Sequence, residues 1–204
     1  MDPGPTLQTQ RLTLRPWRDS DLPPFAALNA SPEVCRFLPS TLSRAESDAM
    51  AARARAAFTP AGFGLFALAR RDLPGAPFIG FAGLARPRFE APFTPCVEIG
   101  WRLAEAHWGQ GLATEAAQAV LAHAFGPLAL EALVSFTATQ NLASARVMQK
   151  LGMVRDPAGD FEHPALPRGH PLRPHLLYRL EARVWRGRGR DLAHSSGPDA
   201  PEGP

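Results

Sequence analysis

Cysteine, lysine and tyrosine are scarce in this chain, and long apolar runs are missing. Only Cys35 and Cys96 occur in 204 residues, far apart and outside any CxxC pair. Neither a zinc knuckle nor a disulfide framework is indicated, and both read as reduced core thiols. Of 22 basic residues only Lys150 is lysine, and no GxxxxGK[ST] stretch occurs, so a P-loop is excluded. No apolar run approaches the roughly 18 residues of a membrane span, and MDPGPTLQTQ lacks the basic-then-apolar layout of a signal peptide. A cytoplasmic protein without a membrane partner is expected. The net charge of +3 is too mild to argue nucleic acid, although RVWRGRGR raises it locally in the tail.

What is present belongs to a soluble globular domain, with 45% hydrophobic and 20% charged residues. The length suits one domain with a full core. Its expected extent is residues 1–185, followed by a polar, Gly- and Pro-rich tail over 186–204 expected to be disordered. The arginine bias, with 22 prolines and much alanine, reads as a GC-rich coding habit, with adaptation to heat as a second reading.

Periodicity outlines the elements. LQTQRLTLRPW alternates Leu7, Leu12 and Leu14 with polar residues as a half-buried strand does, and Pro16 ends it. Asp19 or Ser20 caps a helix to about Ala30, Ser31-Pro32 opens a short helical turn through Phe37, and Ser43 with Glu46 forms a capping box for a helix to Phe58. GFGLFALARR and FIGFAGLARP flank the turn DLPGAP as a hairpin, and TPCVEIGWRL (94–103) continues the meander. On that third strand Val97, Ile99, Trp101 and Leu103 share one face, and Glu98, Gly100 and Arg102 the other. Ala113, Ala116, Ala117, Val120, Leu121 and Ala124 have helical spacing. ALVSFTAT (132–139) is a strand, Asn141 caps a helix through Lys150 that Gly152 stops, and HLLYRLEARVW (175–185) is a last strand.

HWGQGLATE (107–115) therefore lies between a strand and a helix. Glycines there free backbone N–H groups to close around an anion at a helix N-terminus, so the loop suits a phosphate; a turn that merely needs glycine is the competing reading. A dinucleotide fold is disfavoured because Thr114 stands where the third glycine of GxGxxG belongs, and the preceding hundred residues read as helices and hairpins, not βαβ units.

EIGWRL, HWGQGLATEA and NLASARVMQKLGM, in the order strand, loop, helix, strand and helix, resemble the GNAT acetyltransferase superfamily over roughly residues 7–184. Within it they resemble the branch typified by ribosomal-protein N-terminal acetyltransferases. The resemblance implies an α/β (α+β) fold with a mixed, mostly antiparallel sheet of about six to seven strands flanked by helices. It also implies acetyl-CoA as co-substrate, no metal, and direct acetyl transfer to a primary amine, on a protein N-terminus or a small molecule. Residues implied to hold coenzyme A are Trp101 and Leu103 through their backbones, the loop Trp108, Gly109, Gln110, Gly111, Leu112, Ala113 and Thr114, and Asn141. Trp108 occupies a position that is Gln or Arg in many members, which removes a side-chain donor to the pyrophosphate.

Ser144 matches a serine implied to protonate the departing thiolate; an ordinary helix serine is the alternative. Glu98 is a candidate to take the amine proton through water, against a salt-bridged strand glutamate. Tyr178, the only tyrosine, lies off the position where many members carry a tyrosine acid. DFEHPALPRGHPLRPHLLYR (160–179) resembles a subgroup with an FxHP…GHPLRxHxLYR signature, so Glu162, His163 and His170 either line the acceptor mouth or brace a long loop. The irregular gaps between His163, His170 and His175 argue against a metal. A non-catalytic acyl-CoA-binding module on the same fold and a nucleic-acid-binding protein using the tail are the rival functions, and a homodimer is left open.

Overall fold

A computed structural model describes residues 4–187. The tail expected to be disordered falls, from residue 188 on, outside the described residues. One sheet organises the chain, in the order β1-β2-β3-β4-β5-β6-β9-β7, with β8 paired to β9. The strands are β1 (Leu7–Gln8), β2 (Leu12–Arg15), β3 (Leu65–Arg70), β4 (Phe78–Ala85), β5 (Glu98–Leu103), β6 (Ala132–Ala138), β7 (Val154–Arg155), β8 (Phe161–Glu162) and β9 (Pro174–Glu181). Among the described residues the expected six to seven strands become nine because β1, β7 and β8 are two-residue pairings, too short for alternation to reveal.

Every pairing is antiparallel except β5 with β6, and that parallel contact is a single register pair, Glu98↔Val134. The two strands part beyond it. The strand expected from residue 94 begins only at Glu98, because Thr94 closes a turn: its Oγ1 accepts the Ala91 N–H at 3.0 Å and donates to the Ala91 carbonyl at 2.9 Å.

Helix α1 (Leu22–Ala30), α2 (Pro32–Cys35) and α3 (Arg44–Ala61) cross one face of the sheet. Their starts follow local chemistry: the Ser31 side chain accepts from Val34, and Ser43 and Glu46 cap reciprocally. The entry to α1 is pinned by Arg15 and Asp21, both nearly buried and joined by two hydrogen bonds of 2.7 and 2.8 Å. The opposite face is covered by α4 (Leu112–Phe125) and α5 (Leu142–Lys150). Ala116, Ala117, Val120, Leu121 and Ala124 are fully enclosed against Leu12, Ile99 and Leu133, so the periodicity of α4 reports its buried stripe.

The strand expected through Trp185 stops at Glu181, and residues 182–187 are helical. This last turn docks on the end of α4: Trp185 lies 6.3 Å from Phe125, whose carbonyl accepts from Arg186 at 3.0 Å. The apolar spacing of EARVW suits either conformation, and docking selects the helix.

Candidate functional site

The parting of β5 from β6 opens the middle of the sheet. The Val97 carbonyl accepts from Val134 N–H, whereas the Ala104 N–H points the other way, to Ile79 of β4. By strand alternation the backbones of Trp101 and Leu103 face the gap, where no β6 residue meets them. The Leu103 carbonyl accepts the Trp108 indole N–H at 2.8 Å, so that side chain braces the strand end.

A cavity of ≈ 370 Å³ runs along this edge, lined by Trp101, Leu103, Trp108, Gly109, Gly111, Leu112, Ala113, Thr114, Asn141 and Ser144. Arg36, Arg146 and Lys150 add positive charge to its lining. Gly109 and Gly111 have φ of +70° and +76°, which side chains resist, and a Cβ on Gly109 would meet nothing within 4 Å. The first bond of α4 runs from Glu115 N–H to the Gly111 carbonyl. It leaves the N–H groups of Leu112, Ala113 and Thr114 unused by the helix, at its positive end. Free amides, left-handed glycines and a cationic lining fit a bound pyrophosphate.

Gln110 departs from the sequence expectation, since it does not line the cavity. Its Oε1 accepts from Arg70 at 3.0 Å and its Nε2 donates to Ala106 at 2.9 Å, so it stiffens the loop from behind. Arg11 and Glu115, which sequence reasoning missed, do the same. Arg11 donates to the Gln110 carbonyl, while the Glu115 carboxylate accepts from Thr9 Oγ1 at 2.6 Å and from Arg11 N–H at 2.8 Å. Burial opposes the charge on Glu115, but these donors together hold its pKa below the ordinary value. No local signal joins residues 104 positions apart.

A second cavity of ≈ 260 Å³ lies against the first, and Trp101, Arg102, Asn141 and Ser144 line both. The Asn141 side chain caps α5 by accepting from Ser144 N–H at 3.2 Å, and the Ser144 hydroxyl makes no hydrogen bond among the described residues. Glu98 lines the second cavity without an ion pair or hydrogen bond among the described residues, so the salt-bridged alternative is not realised. Protein crowds its carboxyl, and desolvation pushes its pKa up to about 8.

The loop of residues 160–174 divides. His163 lines the second cavity beside His175, with ring centroids 4.8 Å apart and Phe136 and Phe161 around them. Burial first, then the neighbouring His175 and Arg173, pushes the His163 pKa down to about 4, and burial also lowers that of His175. Glu162 and His170 are not in the lining. Glu162 pairs with Arg173 at 2.8 Å, and His170 Nδ1 accepts from Leu172 N–H at 3.1 Å, so both brace the loop. Tyr178 is buried in the core. No group of three or more His, Cys, Asp or Glu is placed to hold a metal among the described residues.

Comparison with known proteins bears on this geometry. The family model of the Acetyltransferase (GNAT) domain matches residues 11–154. The chain is 30% identical over 157 residues to the uncharacterized N-acetyltransferase YoaA of Bacillus subtilis, covering 74% of this chain and 84% of that one. Matches to curated relatives span from 50% to 84% of their lengths. An acetyltransferase structure from Agrobacterium tumefaciens superposes with a TM-score of 0.69 at 32% identity, over 87% of this chain and 94% of the other. Mycobacterium smegmatis RimJ in complex with CoA-disulfide shares the fold, with a TM-score of 0.73 at 19% identity, over 94% and 95% of the two chains.

Proposed function

The chain belongs to the GNAT acetyltransferase family, whose members transfer acetyl groups from acetyl-CoA, and on that premise we propose that it acetylates a primary amine by direct transfer. The observation that carries this reading is the meeting of the two cavities. One has the amide cradle and open strand edge suited to coenzyme A, and the other holds Glu98, with Ser144 between them. Loop amides of Gly109 and of Gly111 to Thr114 hold the pyrophosphate. The free backbone groups of Trp101 and of the Leu103 N–H side bond the pantetheine arm as an added strand would, and Asn141 contacts it from the end of β6.

In the reaction the amine nitrogen attacks the thioester carbonyl carbon, an N–C bond forms, the C–S bond breaks, and the products are an amide and the free thiol. Glu98 accepts the proton the ammonium must lose, directly or through one water; Ser144 donates a proton to the departing sulfur and recovers one from the nitrogen, which sheds its second proton as the amide forms. A carboxyl titrating near pH 8 is closer in proton affinity to an α-amine than an ordinary glutamate is. Much of the acceleration comes from holding amine and thioester together in the opening.

The test is thiol release from acetyl-CoA with a panel of peptide N-termini, polyamines, amino acids and aminoglycosides, alongside calorimetry of coenzyme A binding. Amine-dependent release is expected for at least one class. Tight coenzyme A binding without release on any amine would assign the chain to the non-catalytic acyl-CoA-binding reading instead.

A further inference from the structure

Resting on the acetyl-transfer reading, the second cavity carries information about its acceptor. Among the described residues its ionisable lining consists of Glu98, Arg102, His163 and His175. Arg102 forms no ion pair among the described residues. Nη1 donates to Asn29 Oδ1 at 2.6 Å and the guanidinium lies 5.4 Å from the Phe81 ring centre, while its remaining N–H groups have no protein partner among the described residues; the side chain stands where the two cavities meet and lines both. Asn29 is fully buried and donates in turn to the buried Ser47 at 2.9 Å. The guanidinium is thus held in one orientation by neutral groups.

A largely enclosed cation without a counter-charge is costly, and a guanidinium fork matches a carboxylate with two parallel hydrogen bonds. Burial lowers the Arg102 pKa, yet arginine stays cationic, whereas the two histidines are shifted toward neutrality and Glu98 toward its protonated form. The cavity therefore presents one fixed positive charge near neutral pH. Between Arg102 and Glu98, on the same face of β5, stands Gly100. A Cβ there would meet only Glu98 Oε1, at 3.7 Å, so the space over Gly100 is open. Phe81, Phe136 and Leu166 supply apolar walls.

We propose that the acceptor is a free amino acid with an apolar side chain: its carboxylate pairs with Arg102, its amine lies over Gly100 toward Glu98 and Ser144, and its side chain packs among Phe81, Phe136 and Leu166. A protein N-terminus lacks the adjacent carboxylate and leaves Arg102 unanswered. A polyamine brings the wrong sign of charge.

The experiment uses the full chain loaded with coenzyme A. L-leucine, L-methionine and L-phenylalanine are compared with their carboxamides and with the corresponding decarboxylated amines, by calorimetric binding and, with acetyl-CoA, by thiol release. At least one free acid should bind and turn over about tenfold or more better than its amide and its amine. Arg102→Gln should erase that gap, and Arg102→Lys, which keeps the charge but not the fork, should restore part of it; because Arg102 also lines the first cavity, the acid-to-amide ratio of each variant is read at saturating coenzyme A, with the coenzyme A affinity measured alongside. Equal binding of acids and amides, or a gap that survives Arg102→Gln, would overturn the proposal. Thiol release on peptides or polyamines with no binding of any amino acid overturns it while sparing the acetyl-transfer reading. Acid-selective binding without release on any amine overturns the acetyl-transfer reading and with it the acceptor role, leaving Arg102 as a carboxylate-binding group only.

Discussion

Replacing Glu98 with glutamine should change how stability depends on pH, and this can be measured before any acceptor is known. The carboxyl is pushed from 4.5 to about 8 by desolvation. Between those values the folded chain keeps a proton that the unfolded chain has released. The stabilising contribution is therefore fully present below 4.5 and is lost as the pH rises through about 8. Within that window each pH step removes about 1.4 kcal/mol, so from pH 5.5 to 7.5 the loss is about 2.7 kcal/mol. For a chain of this size that corresponds to a fall in Tm of about 5–10 °C relative to Glu98→Gln, which has the same shape but does not titrate. Glu98 opens partly to the cleft, so solvent screening places the expectation at the lower end. Scanning calorimetry of both proteins at four pH values between 5.5 and 8.5 gives the difference directly. Carboxyl-carbon NMR of labelled glutamate should show a resonance titrating near 8 that disappears in the variant. Parallel Tm curves, or a Glu98 midpoint below about 5, would refute the argument that burial without a partner governs this group. The same shift bears on catalysis: only about one carboxyl in eleven is ionised at pH 7, so a rate limited by Glu98 rises about tenfold between pH 7 and 9. That limb should vanish in Glu98→Gln, whereas a limb set by an acceptor α-amine, with its own pKa near 8, would persist.

Gly111→Val forces a β-branched residue into a left-handed conformation at the head of α4, and coenzyme A affinity by calorimetry should weaken about tenfold or more; unchanged affinity in the folded variant would remove the loop from the site. Ser144→Ala should lower kcat by roughly 10² with coenzyme A affinity intact, and a kcat within a factor of about two would mean that water or another group protonates the thiolate. His163→Ala should raise the acceptor KM and leave coenzyme A binding within about twofold, while Glu162→Gln, on a side chain paired with Arg173 outside the cavity, should change neither; steady-state kinetics with the best amine separates the two. Asp21→Ala strands the buried Arg15 charge and should destabilise the fold by about 3–5 kcal/mol in urea titrations.

Local chemistry was legible in the amino-acid order because it acts over three or four residues. Ser43 and Glu46 form their box, Asn141 caps α5, and the glycine pair opens α4, since caps and left-handed turns are settled by neighbours along the chain. Alternation likewise placed Ile99 and Leu103 in the core and Glu98 and Arg102 on the other face of β5. Periodicity reports which side a residue faces, and it is silent about what waits there. Only the folded chain could bring Asn29 to Arg102 across 73 positions or Thr9 to Glu115 across 106. The shift of the Glu98 carboxyl arises from packing by remote segments that supply no counter-charge, which the strand's own sequence does not encode. The opening itself is tertiary too. Both strands have ordinary strand sequences, and only in the folded chain does their pairing stop at a single register pair, leaving the edge of β5 open beside the first cavity.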